Sequence, residues 1–374
     1  MLSGGLDSSS IVAVAQEILR EQGKGSLPTF SAVSVEDPEG PETTAIREVI
    51  RHTGVKGREI VPDEMAELGV ETDEAIRHSD DPFDLLITLV PAAFSAASME
   101  GCRTIMTGVD GDVCSGVSRR YLIYQFRSGN LISPWIEAAG LAFTSGDGWR
   151  YAADLLRFSI LSAFRPEKTR ENHREGWTRR ILDSSPLSTE FAERIGLEER
   201  VAALYERELP WPEPPSLTHR HVHSLQSPIM TAALERYDRN AHRFSIELAH
   251  PFLDRRFVEF SLRLPIRQRA RFGWSKWVLR KTTEGLLPRS ARWRRENMTV
   301  NPEFARRGLV NGLGSGAFSS GALGGIQSLV SDEVFARATG AEAPSPTDYE
   351  GLFVSRTCRF LGRWRETRFP NRES

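Results

Sequence analysis

The chain has 374 residues, 40% of them hydrophobic, which is enough to bury at least one large core and excludes a small disulfide-stapled domain. Its 48 Lys and Arg against 50 Asp and Glu leave a formal net charge of −2, so no global field favours nucleic acid or an anionic membrane. No apolar run reaches the roughly 20 residues of a membrane span, and no basic segment followed by an apolar stretch opens the chain, so we expect a cytoplasmic protein with no membrane partner.

The three cysteines, Cys102, Cys114 and Cys358, lie far apart and form no Cys-x-x-Cys pair. This pattern argues against a zinc site or dithiol exchange. A reducing compartment is the natural setting for such a chain.

The first third of the chain alternates predicted helices and predicted strands. Helical spacing of apolar residues predicts helices at 8–22, 42–53 and 83–99, and β-branched or aromatic runs predict strands at 27–35, 57–61 and 103–107. Alternation of this kind argues for an α/β fold with a doubly wound parallel sheet. Such a sheet binds its ligands at the carboxyl ends of its strands.

Beyond residue 119 the pattern is mostly helical to about residue 300. We therefore expect a sheet core in residues 1–118 and a helical part in residues 119–300. Residues 301–374 form a C-terminal extension, whose Gly/Ser-rich stretch at 311–325 is predicted to be a flexible linker.

A glycine-rich run, SGGLDSS at residues 3–9, leads directly into the first predicted helix. Its two glycines allow close approach to a ligand, while Ser3, Ser8 and the N–H groups of the helix start can donate to phosphate oxygens. Asp7 would repel a bare phosphate, but its presence is explained if it holds a Mg²⁺ ion that bridges phosphates. A flexible chain start with Asp7 as a helix N-cap is the alternative.

This run resembles the PP-loop of the ATP pyrophosphatases, which cleave ATP between the α and β phosphates. It lacks the Gly-Lys-Ser/Thr of a Walker A loop. The resemblance implies ATP and Mg²⁺ as cofactors. The resemblance also implies that the nucleotide is bound by the following residues of the loop: Leu2, Ser3, Gly4, Gly5, Asp7, Ser8 and Ser9.

A second acidic loop, GVDGD at residues 108–112, follows the predicted strand at 103–107. Its acids therefore emerge at the same edge of the sheet as the phosphate loop. Asp112 is predicted to be the second metal ligand, beside Asp7. The alternative is that Asp110 and Asp112 are turn residues that satisfy their own backbone.

Two segments in the carboxyl half resemble asparagine synthetases. In that family a Glu sits four residues before Pro-Phe-Leu-Asp, as Glu247 does before residues 251–254, and a Lys opens a helix that reads x-x-Leu-Arg, as Lys276 does. The resemblance implies that Glu247 orients or deprotonates the attacking amine and that Lys276 faces the charge developing at the adenylate. An ordinary surface residue or ion pair is the alternative for each taken alone.

Three positions in the first third also carry this resemblance. Val33 matches the position whose backbone contacts adenine, and Gly108 and Asp112 match the family's Ser-Gly-Glu-Gly-x-Asp-Glu loop. Val109 and Val113 depart from that loop.

Across residues 1–300 the resemblance implies an asparagine synthetase-type ATP-pyrophosphatase domain, a ligase that forms C–N bonds. A small-molecule or peptide carboxylate attacks the α-phosphorus, pyrophosphate leaves, and an amine displaces AMP from the acyl-adenylate. Asparagine synthetases obtain ammonia from an N-terminal glutaminase domain. That domain and the strand expected before Leu2 are both absent from this sequence, so we expect a separate glutaminase, a start placed too late, or a fragment.

Three alternatives stay open. A relative such as a lasso-peptide cyclase would form a macrolactam on a peptide or secondary metabolite, with a precursor-peptide-binding protein as partner; the GVDGDVCSG loop and the Trp- and Arg-rich carboxyl half favour it. A PP-loop tRNA-modifying enzyme would need a basic extension or catalytic cysteines, whereas PFLD is typical of the amide formers, so we expect no nucleic-acid partner. An inactive, truncated binding module is the third.

Overall fold

The computed structural model describes residues 1–65, 67–68, 89–117, 120–144, 148–208, 216–294, 326–339 and 361. Within these ranges the protein has a mixed α/β, helix-rich architecture. Its strands are β1 (Pro28–Ala32), β2 (Lys56–Ile60), β3 (Thr104–Met106), β4 (Glu247–Ala249), β5 (Ala270–Arg271) and β6 (Trp274–Ser275).

The α-helices lie mostly after β3. They are α1 (Leu6–Glu21), α2 (Pro41–Thr53), α3 (Leu89–Met99), α4 (Gly111–Ser115), α5 (Tyr121–Arg127), α6 (Ser133–Thr144), α7 (Gly148–Phe164), α8 (Pro166–Asp183), α9 (Thr189–Arg194), α10 (Leu197–Glu208), α11 (Leu217–Leu225), α12 (Pro228–His242), α13 (Arg255–Arg263), α14 (Ile266–Arg269), α15 (Trp277–Thr282), α16 (Arg289–Arg292) and α17 (Asp332–Thr339). Short 3₁₀ turns occur at Pro62–Met65, Pro251–Leu253 and Gln327–Leu329. No helix within the described ranges is both long and apolar enough to cross a membrane.

Two short parallel ladders lie beside the first residues of the chain. β1 pairs with β2 from Pro28↔Lys56 onward, and β3 pairs with β4 from Thr104↔Glu247 onward. The first two residues link these ladders, because the Leu2 N–H donates to the Phe30 carbonyl (3.0 Å) and the Met1 nitrogen donates to the Met106 carbonyl (2.8 Å).

Two hydrophobic clusters enclose this region. The first packs α3 and α12 against the ladders, and its buried members include Phe30, Ile60, Phe94, Ile105, Ala241 and Ile246. The second packs α1, α2 and α16 together, and its buried members include Leu2, Val12, Val33, Ile46, Val49, Leu287 and Ala291. Each fully buried Val, Leu, Ile or Phe side chain contributes roughly 1.5–3 kcal/mol, which stabilises the edge from which the loops emerge.

Local sequence explains where the first two helices begin and end. Gly5 is the extended N-cap of α1, which begins at Leu6, two residues before the predicted start, and Gly23 follows the helix with φ +65°. Gly54 ends α2 in the left-handed conformation, where its N–H donates to the Ile50 carbonyl. All three predicted strands of the first third are confirmed, while the helix predicted at 83–99 is described from Leu89 onward.

The predicted helical character of the middle and carboxyl half is confirmed for the described residues between 120 and 294. The segment around α17 pairs back onto this part, because the Ser188 N–H donates to the Leu329 carbonyl and the Ser331 N–H donates to the Pro186 carbonyl, both at 3.0 Å. The predicted linker at 311–325 lies outside the described residues.

Candidate active site

The glycine-rich run folds into a tight loop that ends in the first turn of α1. The Ser3 N–H donates to Ser8 Oγ (3.1 Å), and the two serine hydroxyls are 2.9 Å apart. Gly4 has a φ of +71°, a conformation that glycine adopts without a steric penalty. The predicted loop residues therefore do form one continuous structure around the helix start.

The amino end of α1 has no side-chain cap and is open in that sense. Its N-cap, Gly5, carries no side chain that could accept from the first helical N–H groups. Gly108 lies against this end, because a Cβ atom built on it would be 2.7 Å from the Ser8 nitrogen. A residue larger than glycine at position 108 would crowd the N–H group that a phosphate would need.

Asp7 and Asp112, the two predicted metal ligands, lie on either side of one ammonium group. Lys276 Nζ is 2.5 Å from Asp7 Oδ2 and 2.5 Å from Asp112 Oδ1. The side chains of Lys276 and Asp7 are only 10% and 15% exposed, whereas that of Asp112 is 87% exposed. Three residues that are far apart in sequence, each predicted to act in the site, thus meet at one point.

Burial controls the ionisation of Asp7. Desolvation raises the pKa of its carboxyl group, and the attraction of Lys276 opposes that rise only in part. Its second oxygen, Oδ1, is buried and has no hydrogen-bond partner among the described residues. An added cation would satisfy this oxygen.

The donor set at this point fits a magnesium ion. Mg²⁺ prefers one or two carboxylates and fills its remaining positions with water and substrate phosphate oxygens. Asp7, with its unsatisfied buried oxygen, and the exposed Asp112 provide those two carboxylates beside the open end of α1. No group of three or more potential metal ligands occurs among the described residues, so a site made of protein ligands alone is not formed there.

The first residue of α4, Gly111, has a structural role that the sequence analysis did not identify. A Cβ atom on Gly111 would lie 2.4 Å from Asp7 Cγ, so this glycine lets α4 pack directly onto the Asp7 side chain. Asp110, just before it, is left-handed (φ 60°), and burial followed by repulsion from Asp112 raises the pKa of its carboxyl group. The signal in the sequence is the glycine between two acids, Asp110 and Asp112.

Lys276 is held in an unusual backbone conformation. It has a φ of 55° and is the N-cap of α15, immediately after β6. A left-handed lysine is uncommon, and surrounding structure must hold it there. The Arg280 guanidinium contributes, since its Nε donates to the Ser275 carbonyl at 2.9 Å, one residue before the lysine.

Glu247 lies apart from this group. It is the first residue of β4, is exposed, and pairs with Thr104 at the beginning of β3. Its neighbours Ile246 and Leu248 join the α3/α12 cluster, so strand alternation directs Glu247 to the other face of the ladder. Among the described residues, its carboxylate makes no ion pair with Lys276 or any other cation.

The remaining residues predicted to contact the nucleotide, Val33, Leu2 and Ser9, are buried. The Val33 N–H donates to the Ile60 carbonyl (2.9 Å), so a hydrogen bond to adenine would use its carbonyl oxygen. Leu2 is 2% exposed and packs in the α1/α2 cluster. Ser9 is fully buried, so its hydroxyl faces the interior rather than the loop.

These features are those of a mixed α/β, helix-rich protein with a glycine loop, paired carboxylates and a lysine at one site. A model of the asparagine synthase family matches residues 1–311. The chain therefore belongs to the asparagine synthase family.

The chain is also similar to one curated protein. Asparagine synthetase [glutamine-hydrolyzing] 3 of Bacillus subtilis (strain 168) is 26% identical over 332 residues, which cover 82% of this chain and 45% of that protein. The chain thus spans less than half the length of this curated relative.

Proposed function

We propose that the protein forms amide bonds with ATP by activating a carboxylate as its acyl-adenylate, releasing pyrophosphate and then AMP. The observation that carries this proposal is the meeting of Asp7, Asp112 and Lys276 at the open amino end of α1. Membership of the asparagine synthase family supports the same class of reaction.

The phosphate chain of ATP would bind at the loop of residues 3–9. N–H groups at a helix start and the hydroxyls of Ser3 and Ser8 are donors suited to phosphate oxygens. Asp7 and Asp112 would hold Mg²⁺, which supplies charge neutralisation for the phosphates and the leaving pyrophosphate. The carbonyl oxygen of Val33 would accept from the adenine amino group.

In the adenylation step, an oxygen of the substrate carboxylate attacks the α-phosphorus and the bond to the β-phosphate oxygen breaks. Negative charge grows on the oxygens around that phosphorus. Once Mg²⁺ occupies the two carboxylates, the Lys276 side chain, extending from the same backbone position, would reach these oxygens and stabilise the charge.

In the transfer step, the amine nitrogen attacks the acyl carbon and AMP leaves with the bonding electron pair. The amine must lose a proton, and we assign Glu247 to accept it, on the family resemblance of its position before residues 251–254. The exposure of its carboxylate is compatible with access by an amine.

The sheet and domain organisation belong to the same proposal. A doubly wound parallel sheet is supported by Met1 and Leu2 between the two ladders and by hydrophobic clusters that place helices against both faces. We propose that residues 1–300 form the catalytic domain and that residues 301–374 extend it. A glutaminase on another chain would supply ammonia.

A macrolactam cyclase of the same family is the second candidate. The observation that favours it is an aromatic group beside Lys276, in which Trp274 and Trp277 each make edge contacts with Trp293. Half-buried aromatic rings of this kind suit contact with a peptide side chain better than with free aspartate.

The test is exchange of labelled pyrophosphate into ATP, dependent on both magnesium and a carboxylate. Aspartate and a pool of short Asp- and Glu-containing peptides are offered separately, with Asp7→Asn as the inactive reference and Glu259→Gln as a surface control. Exchange with aspartate supports asparagine formation, and exchange with peptides alone supports the cyclase. Absence of exchange with every carboxylate, together with an unchanged biological role for Asp7→Asn, would make the protein a binding module.

A further inference from the structure

We propose that Glu137 in α6 is a positioning residue for Lys276, because its carboxylate fixes the β5–β6 hairpin that carries this lysine. The inference deepens the proposed function and rests on it for its catalytic consequence. The placement of Lys276 itself can be measured without any catalysis.

The hairpin is too small to define its own position. Only two residue pairs join its strands, Ala270↔Ser275 and Arg271↔Trp274. Phe272 and Gly273 form the turn, with φ values of 52° and 78°. An isolated two-stranded hairpin is marginal in water even when longer than this one, so the turn needs outside support.

Glu137 provides that support with both carboxylate oxygens. Oε1 accepts from the Phe272 N–H (3.1 Å), and Oε2 accepts from the Gly273 N–H (3.0 Å) and from the Tyr121 hydroxyl (2.9 Å). The residue is only 7% exposed, and none of the described cations pairs with it. Its charge is therefore stabilised by these donors, two of which belong to the turn.

The next turn of α6 completes the clamp. A Cβ atom on Gly140 would lie 2.2 Å from the Phe272 carbonyl carbon, so helix and hairpin are in direct backbone contact. Thr144 Oγ donates to the Gly273 carbonyl at 3.2 Å. Both the N–H groups and a carbonyl of the turn are thus tied to one helix.

Lys276 follows directly after β6, at the end of the hairpin that lies away from the turn. Three residues after the tethered Gly273, the lysine leaves β6 and reaches Asp7 and Asp112. A shift of the turn would therefore displace the backbone of Lys276, and with it the ammonium group, from the site between Asp7 and Asp112. Misplacement by about 1 Å is enough to lower a reaction rate by about a hundredfold.

The first test measures the wild-type protein. Hydrogen exchange of the Phe272 and Gly273 amides should be slow, since both are bonded to a buried carboxylate; exchange at the rate of exposed loop amides would overturn the proposal. The second test acetylates lysines with an N-hydroxysuccinimide ester and follows Lys276 by mass spectrometry, with Lys281 as internal reference because its side chain is 48% exposed.

Two variants displace the hairpin in different ways. Glu137→Gln removes the charged acceptor, and Gly140→Ala pushes the turn away while improving the helix propensity of α6. In each, acetylation of Lys276 should rise about tenfold relative to Lys281, as expected when roughly one hydrogen bond's free energy no longer holds the protected state. Glu59→Gln, which loses a carboxylate on β2 that pairs with Arg47, is the matched control. Acetylation of Lys276 in this variant should equal that in wild type.

Wild-type labelling in both folded variants would overturn the proposal. Pyrophosphate exchange then tests the consequence: the kcat of both variants should fall about a hundredfold while the KM for ATP changes little. If Lys276 becomes reactive but wild-type protein shows no exchange, the positioning role stands and the proposed function fails.

Discussion

Lys276 Nζ lies 2.5 Å from Asp7 Oδ2, although 269 positions separate these residues along the chain. The same nitrogen is 2.5 Å from Asp112, so one cation joins the start of α1, the start of α4 and the end of the β5–β6 hairpin. Removing one partner of a buried pair leaves the other charge uncompensated. We therefore expect a change at this contact to alter both the free energy of unfolding and the proposed adenylation.

Replacing Lys276 with Met should abolish most of the proposed activity. We expect the exchange rate to fall about 10²–10³-fold, because the cation that stabilises the developing charge is removed. The free energy of unfolding at neutral pH should fall by about 3 kcal/mol, because Asp7 then lacks its partner.

Magnesium distinguishes the causes of this loss. In Lys276→Met, added Mg²⁺ should raise the melting temperature more than in wild type, since the freed carboxylates bind it without competition. Lys281→Met, which removes an exposed lysine that pairs with Glu284, is the control and should match wild type. Full exchange activity in Lys276→Met would remove this residue from the site.

Gly108→Ala should weaken ATP binding. The new methyl group would lie 2.7 Å from the Ser8 nitrogen and would displace a donor at the amino end of α1. We expect the Kd for Mg-ATP, measured by calorimetry, to rise at least about tenfold, equivalent to the loss of about one charge-assisted hydrogen bond.

The matched control is Gly176→Ala. Gly176 lies inside α8, and no atom lies within 4 Å of a Cβ built there. This variant should keep wild-type affinity and gain up to about 1 kcal/mol of stability from helix propensity. Equal affinities in the two variants would show that Gly108 is not near the nucleotide.

His221 should make the protein sensitive to acid. Arg269 donates to His221 Nδ1 and to the Ser261 carbonyl, and the Ser261 hydroxyl donates to the Cys114 carbonyl of α4. Burial, followed by the charge of Arg269, lowers the pKa of His221 to about 4. The neutral imidazole is therefore part of the support for the helix that carries Asp112.

The sign of the pH dependence follows from this shift. The unfolded histidine takes up its proton near pH 6.5, whereas the folded one resists protonation to about pH 4, so stability is lost as pH falls through this interval. The loss is on the order of 3 kcal/mol. His221→Gln should flatten the melting temperature between pH 6.5 and 4, and the exposed His52→Gln should not. Parallel curves for wild type and His221→Gln would contradict the assignment.

The proximity of the glycine-rich loop to Asp7 and Asp112 could be predicted because the pattern that indicates it is local. Glycines, hydroxyls and an acid at a helix start limit what the segment can bind, and Asp112 follows a strand that ends at the same edge. The approach of Lys276 to both acids was not predicted, although the lysine was assigned to the site. Its position depends on the hairpin and on α6, which no local pattern connects.

The burial of Ser9 and Leu2 shows what a motif match does not predict. Both lie in or beside the motif, but helical periodicity turns Ser9 inward, and strand-like pairing turns Leu2 into the core. A motif match assigns the same function to neighbouring residues, whereas the folded backbone directs their side chains to different sides. Gly111 was missed for the same reason, because its role is defined by Asp7, which lies more than one hundred positions earlier.

Glu247→Gln should separate the two proposed half-reactions. Adenylation does not require the amine to lose a proton, so pyrophosphate exchange should stay within about twofold of wild type, while amide formation falls about 10²–10⁴-fold with loss of the general base. Glu259→Gln, an exposed acid of α13 that pairs with Arg255, is the control and should leave both rates unchanged. Equal loss in both assays would mean that the Glu247 side chain supports the structure of β4 rather than proton transfer. Unchanged amide formation would assign the proton to another base at the carboxyl edge, where His250 Nδ1 lies 2.7 Å from the Thr107 hydroxyl.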